Sequence, residues 1–109
     1  MRSLFIVVFL LPLLLFSQEK GIKFEHNTNW KTVKEKAKAE NKYIFVDCFT
    51  TWCGPCIWMS ENVFPQEKVG DFFNKNFVSL KIQMDQTAKD NDDVKSWYDE
   101  SKRFEKDYE

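Results

Sequence analysis

Two cysteines separated by two residues directly follow a nearly continuous apolar segment of the chain. The apolar segment is Tyr43–Phe49, whose β-branched and aromatic residues predict a strand covered on both faces, as in a parallel sheet. Thr50–Trp52 connects this strand to Cys53-Gly54-Pro55-Cys56. Pro55 suits the first turn of a helix, because its missing N–H would have no helical partner there. The sequence therefore predicts a strand that leads into a cysteine pair at a helix N-terminus.

The placement of the two cysteines predicts redox chemistry. At a helix N-terminus the unpaired backbone N–H groups and the helix dipole stabilise a thiolate, which here would be that of Cys53. Cys56 lies one turn further into the helix and is expected to be more shielded, so it can attack a mixed disulfide formed at Cys53 and release the product.

Three other interpretations of the cysteine pair remain open. A structural disulfide in so short a loop would remove little entropy from the unfolded chain. A zinc site would need two further ligands, and only Cys48, His26 and carboxylates could supply them. The spacing could also be a coincidence. The context of strand, CxxC and helix favours redox function over all three, and no metal site is predicted.

The N-terminal segment has the layout of a secretory signal peptide. Met1–Ser3 carries a positive charge, Leu4–Phe16 is apolar, and Ser17–Glu19 is polar. The alternative is a membrane anchor, but a spanning helix needs about 20 apolar residues. We therefore expect residues 1–18 to be a cleaved signal peptide and the protein to be periplasmic, in a compartment where disulfides can persist.

The remaining residues, 19–109, predict a single domain with alternating strands and helices. The expected order is βαβαβα, which indicates an α/β fold containing a parallel pair of strands. The expected elements are a strand at Ile22–Glu25, a helix at Trp30–Glu40, the strand at Tyr43–Phe49, a helix at about Pro55–Phe64, a short helix within Gln66–Lys75 with Val69, Phe72 and Phe73 inward, a strand at Phe77–Asp85, and a helix at Asp92–Tyr108 with Val94, Trp97, Tyr98 and Phe104 inward.

Charge and composition exclude some partners. The chain has 16 basic and 17 acidic residues and a net charge of −1, so there is no electrostatic case for nucleic-acid binding. The third cysteine, Cys48, alternates with Asp47 along the predicted strand and therefore faces the opposite side. We expect Cys48 to be free and buried as a small hydrophobic residue.

The run Phe45-Val46-Asp47-Cys48-Phe49-Thr50-Thr51-Trp52-Cys53-Gly54-Pro55-Cys56 resembles the active-site segment of the thioredoxin superfamily. The wider stretch, Trp30–Tyr108, resembles the exported thioredoxin-like branch of Gram-negative bacteria, which includes the reductase domain of the bacterial thiol:disulfide interchange protein. Its marks are Ala37–Lys42, Trp58-Met59, Val63-Phe64 and Asn76-Phe77-Val78. The resemblance implies a thioredoxin-like fold.

The resemblance also implies roles for individual residues. Cys53 would be the attacking thiolate and Cys56 the resolving thiol, and together they would form the redox disulfide. Asp47 would be the buried acid behind Cys56, exchanging a proton with it. Trp52, Gly54 and Pro55 would form the substrate-docking surface. The implied partners are protein disulfides and a membrane-linked dithiol electron donor. No bound cofactor is needed, and the complete protein is expected to be a monomer.

The sequence departs from the family pattern in two places. Ile57 stands where many members have Lys. The family's cis-proline segment, last two strands and closing helix would follow Tyr108, so we expect a C-terminally truncated domain. The strand Phe77–Asp85 is then expected to have a free outer edge that invites pairing. The alternative function is a non-catalytic interaction module with a thioredoxin fold.

Overall fold

The computed structural model describes residues 20–108, so the predicted signal peptide, residues 1–18, lies outside the described residues. The elements run in the order α1 (Trp30–Glu40), β1 (Tyr43–Phe49), α2 (Gly54–Asn62), α3 (Glu67–Asn76), β2 (Phe77–Gln83), α4 (Asp92–Ser96) and α5 (Tyr98–Tyr108). This arrangement confirms the predicted α/β class. No helix between residues 20 and 108 is both long enough and apolar enough to cross a membrane.

The two strands form a parallel pair, and α2 and α3 make the connection between them. Their register aligns Tyr43 with Phe77 and Phe49 with Gln83. Alternation along the strands gives the sheet two faces with different contents. One face is the main apolar core, where the buried side chains of β2 pack with those of α1, α5 and the residue between α4 and α5: Val33, Ala37, Val78, Leu80, Ile82, Trp97 and Phe104.

The opposite face of the sheet is covered by aromatic side chains. The Phe45 ring in β1 packs edge-on against Phe64 at 6.2 Å, Phe73 at 4.8 Å and Phe77 at 6.4 Å between ring centroids. Pairs of this geometry add to the stabilisation from buried area. This layer holds α3, and Phe64 just after α2, against the sheet. It therefore fixes the position of α2 relative to β1.

The predicted first strand is reduced to a single bridge. Phe24 pairs in parallel with Ser79, and the Glu25 N–H donates to the Ser79 carbonyl at 2.9 Å. This contact pairs one residue on the outer edge of β2, so the edge that was predicted to be free is paired at Ser79 only. Within residues 20–108 the strand without a second hydrogen-bonded neighbour is β1.

Three expectations about the helices need correction. The single helix predicted at Asp92–Tyr108 is interrupted at Trp97, where ψ is 0°, because the buried indole turns inward between α4 and α5. Phe72 is 58% exposed rather than inward, because its ring packs on the outer side of Phe73 and Phe77. Tyr98 is only half-buried, and its hydroxyl donates to Asp90 at 2.5 Å.

Candidate redox site

The cysteine pair lies where β1 passes into α2. A turn follows β1, closed by the Cys53 N–H donating to the Thr50 carbonyl at 3.2 Å. Cys53 has extended φ and ψ angles of −77° and 104° and is the residue that caps α2. Pro55 occupies the first turn of the helix, as its fixed φ favours. The structure therefore places Cys53 at the helix N-terminus, as the sequence predicted.

Cys53 and Cys56 are joined by a disulfide across the first turn of α2, with 5.3 Å between their Cα atoms. The Cys56 N–H donates to the Cys53 sulfur at 3.2 Å. The same N–H group and the helix dipole would stabilise a thiolate on Cys53 once the bond is reduced. Both cysteines are half-buried. Oxidation and reduction of this pair are therefore the chemistry that the geometry allows.

The surface beside the disulfide is apolar and exposed. Trp52 is 78% exposed, and Trp58, two residues beyond Cys56, is 58% exposed. Gly54, Pro55 and Ile57 are also exposed. The structure brings the three predicted docking residues, Trp52, Gly54 and Pro55, together around the disulfide. No charged residue occurs from Thr50 to Ser60. A large exposed apolar patch next to a reactive group is typical of a docking surface.

Asp47 lies on the aromatic face of β1 and is paired with a lysine that sequence reasoning missed. The register of the sheet places Lys81 of β2 directly beside Asp47. The Lys81 Nζ lies 3.1 Å from Asp47 Oδ2, and the two side chains are 24% and 18% exposed. Removing a carboxylate from water is costly without a compensating partner, and the ammonium group supplies one.

Lys81 also connects the acid to the helix that carries the cysteines. Its Nζ donates to Ser60 Oγ in α2 at 2.5 Å. Three aromatic rings surround the ammonium group at 5.0 to 5.1 Å from their centroids, which adds cation–π stabilisation: Phe24, Phe49 and Phe64. A charged residue at one of the polar positions of β2 was the available signal, but only the strand register shows that it meets Asp47.

Cys48 is free and exposed, so the expectation that it is buried was wrong. It faces the side of β1 opposite Asp47 and lines an open groove of about 600 Å³ together with Ile44, Val46 and Met84. The error arose because α1 and α5, which also line the groove through Trp30 and Phe104, leave it open instead of covering Cys48. Partial burial of the thiol, and secondarily the negative charge of Asp47, raise the pKa of Cys48.

No group of three or more His, Cys, Asp or Glu side chains in residues 20–108 is arranged to hold a metal ion. The groups that the structure does bring together are the disulfide, the apolar surface beside it, and the Asp47–Lys81 pair behind it. A parallel strand that leads through a turn into a helix-capping CxxC disulfide defines the thioredoxin-like class of proteins.

The chain belongs to the Thioredox_DsbH family, described as "Protein of unknown function, DUF255", whose family model matches residues 12–104. This match and the thioredoxin relatives confirm membership of the thioredoxin superfamily. No solved structure matches the chain.

The similar proteins include thioredoxins and a much longer protein. Thioredoxin Asp f 29 of Aspergillus fumigatus is 36% identical over 64 residues, which cover 59% of this chain and 56% of that protein. Thioredoxin AMT13 of Alternaria alternata is 45% identical over 40 residues, covering 37% and 32%. Spermatogenesis-associated protein 20 of Rattus norvegicus is 38% identical over 52 residues, covering 48% and 7%. The matches thus span about half or less of each relative. Together with the disulfide, they indicate a redox role of the thioredoxin type.

Proposed function

We propose that this protein is an exported thiol:disulfide oxidoreductase that reduces or exchanges protein disulfides through Cys53 and Cys56. The observation that carries the proposal is the disulfide at the N-terminus of α2, with a backbone N–H on the Cys53 sulfur and an exposed tryptophan beside it. The thioredoxin relatives support the same chemistry. The protein would be located in the periplasm, and the complete protein would act as a monomer.

The reaction starts from the reduced dithiol. The Cys53 thiolate attacks one sulfur of a substrate disulfide, a Cys53–substrate disulfide forms, and one substrate thiolate leaves and takes up a proton. The Cys56 thiolate then attacks the Cys53 sulfur, the Cys53–Cys56 disulfide forms, and the second substrate thiolate is released. Two electrons pass from the protein to the substrate, and a membrane-linked dithiol partner returns them. This exchange needs no bound cofactor.

Asp47 takes the proton of the Cys56 thiol in the second step, directly or through a water molecule. Its position on the face of β1 that α2 and α3 cover supports this role. Lys81 holds the carboxylate in place at 3.1 Å and is itself fixed to α2 through Ser60. Trp52, Gly54 and Pro55 provide the surface on which the segment around the substrate disulfide lies.

The proposal is tested by insulin reduction with the full chain after reduction of its disulfide. Cys56→Ser should trap mixed disulfides with protein substrates, because the resolving thiol is missing. Cys53→Ser should trap none, and Cys48→Ser is the matched control that should behave as the unaltered protein. Absence of both insulin reduction and trapped disulfides would favour the non-catalytic interaction module instead.

A second arm tests the proton transfer. Asp47→Asn should slow the release of the mixed disulfide by about 10-fold or more, within the range of general acid–base contributions, and flatten its pH dependence. The initial attack by Cys53 should change less. Asp71→Asn, at an exposed aspartate of α3, is the control. Release kinetics in Asp47→Asn that match the control would leave Asp47 as a structural acid.

A further inference from the structure

The turn that leads into the redox disulfide is held by a carboxylate that follows the other strand. Asp85 lies two residues beyond β2. Its Oδ1 accepts a hydrogen bond from the Thr51 N–H at 3.0 Å, and its Oδ2 accepts one from the Thr51 hydroxyl. Thr51 is two residues before Cys53, inside the turn that the Cys53 N–H closes on Thr50. One side chain therefore fixes the middle of this turn by two hydrogen bonds.

Asp85 is in turn fixed by its own surroundings. The preceding residue, Met84, donates its N–H to the Phe49 carbonyl at the end of β1, at 2.8 Å. The Gln83 side-chain amide donates both to the Asp85 carbonyl at 3.0 Å and to Asp90 Oδ1 at 2.9 Å. The hydrogen bond from the Thr51 hydroxyl lowers the pKa of Asp85, so the carboxylate is ionised and can accept both bonds at neutral pH.

Asp90 connects this arrangement to α5. Its carboxylate accepts hydrogen bonds from the Thr87 N–H at 2.9 Å, the Thr87 hydroxyl at 2.6 Å and the Tyr98 hydroxyl at 2.5 Å. The loop between β2 and α4 is thus tied to the core helix that follows. A carboxylate held in this way can position the group that it binds, because its own place is set by packing and hydrogen bonds.

We propose that Asp85 is a positioning residue that holds the turn Thr50–Cys53, so that the Cys53 sulfur stays at the N-terminus of α2 after the disulfide is reduced. In the oxidised protein the bond to Cys56 also constrains Cys53. Reduction removes that constraint, and the two bonds to Thr51 then keep the sulfur near the helix N–H groups. The inference deepens the proposed function and rests on it, since it concerns the nucleophile of the same site.

The test is the pH profile of Cys53 alkylation by iodoacetamide in the reduced full chain, followed by peptide mapping. Asp85→Ala should shift the midpoint for Cys53 upward by about half a pH unit, since the thiolate loses part of its stabilisation by the helix N-terminus. Removal of the negative charge by itself would shift the midpoint downward, because a nearby anion disfavours a thiolate. The direction of the shift therefore separates positioning from a simple charge effect.

Matched variants make the test specific. Asp85→Asn loses the charge but keeps an oxygen acceptor for the Thr51 N–H, so the midpoint should not rise. Thr51→Val loses only the hydroxyl and should shift the midpoint upward by less than Asp85→Ala, whereas Thr51→Ser should leave it unchanged. Asp71→Ala is the control at an exposed carboxylate of α3.

An unchanged or lower midpoint in folded Asp85→Ala would overturn the inference. If that variant does not fold, the alkylation midpoint of Thr51→Val decides instead, because an isosteric change in an exposed turn does not threaten folding. Alkylation needs no disulfide substrate, so the two proposals can fail separately. A shifted profile without insulin reduction would contradict the proposed function alone, and insulin reduction with an unshifted profile would contradict the positioning role alone.

Discussion

The surroundings of Cys53 and Cys48 give the chain two kinds of thiol. Cys48 follows Asp47 in β1 and lies on the opposite face of the sheet. Cys53 is placed at a helix N-terminus, where N–H groups favour the thiolate. Cys48 lies in an apolar groove beside a negative charge, and both surroundings favour the neutral thiol. The chain thus contains one thiol suited to exchange, that of Cys53, and one whose raised pKa disfavours exchange, that of Cys48.

Cys48 should react slowly at neutral pH, in a measurement that needs only the oxidised protein. With Cys53 and Cys56 joined, Cys48 is the single free thiol of the sequence. A raised pKa means a smaller thiolate fraction at a given pH, so the midpoint of its alkylation profile should lie above that of an unperturbed thiol. The control is a small thiol such as N-acetylcysteine under the same conditions.

The Asp47→Asn variant extends this test, since it removes the second cause of the shift. The Cys48 midpoint should then move down towards the control but not reach it, because partial burial of the thiol is the larger cause. A Cys48 midpoint at or below that of the free thiol would contradict the environment described for it.

At the scale of elements, the segment before α1 is fixed by a close contact with α3. Gly21 has φ of +95°, a conformation that glycine adopts without strain. A Cβ on Gly70 would lie 2.3 Å from the Gly21 backbone, which no adjustment of a side chain can relieve. The Ile22 N–H then donates to the Phe64 carbonyl at 2.9 Å. This contact directs Phe24 to the edge of β2 and to the Lys81 ammonium group.

Gly70→Ala should therefore destabilise the protein by about 1–3 kcal/mol in urea denaturation, the usual cost of overpacking. It should also increase hydrogen exchange in residues 21–25, because the two backbones must separate. Gly54→Ala is the matched control, since a Cβ there meets no atom within 4 Å. Equal stability of the two alanine variants would show that the contact between Gly21 and Gly70 is dispensable.

The elements that local patterns define were predicted well. The bounds predicted for α1 and β1 agree with the structure, and the parallel pair follows from two apolar strands joined through helices. The interruption at Trp97 was missed because the apolar spacing continues through it without a proline or glycine. The first strand was overestimated because Phe24 pairs with a residue far along the chain, and its short alternating pattern does not limit how many residues pair.

At the scale of the whole molecule, the site divides into what local sequence determines and what the sheet register determines. The disulfide at the α2 N-terminus depends on neighbouring residues, and the sequence was sufficient to predict it. The contacts of Lys81 with Asp47 and of Asp85 with Thr51 depend on how β1 aligns with β2. A shift of the register by one residue would move Lys81 to the wrong face and would carry Asp85 away from Thr51, which is why pattern alone did not find these contacts.

The proposed export would decide whether this site meets substrate disulfides, and we expect it to depend on residues 1–18. When the full chain with a C-terminal tag is expressed in a Gram-negative host, we expect the tagged protein in the periplasm, shortened at its N-terminus. The expectation rests on the charged start, short apolar run and polar exit of the segment. Fractionation and the intact mass of the purified protein are the measurements.

The control for export is Leu10→Arg combined with Leu13→Arg, which interrupts the apolar run without altering residues 19–109. Charges within such a run are costly to transfer into an apolar phase, so this variant should remain in the cytoplasm at full mass. If the protein without these substitutions is found at full mass in the membrane fraction, the segment is an anchor instead. An unaltered protein in the cytoplasm would contradict export, and the disulfide would then have to form under reducing conditions that disfavour it.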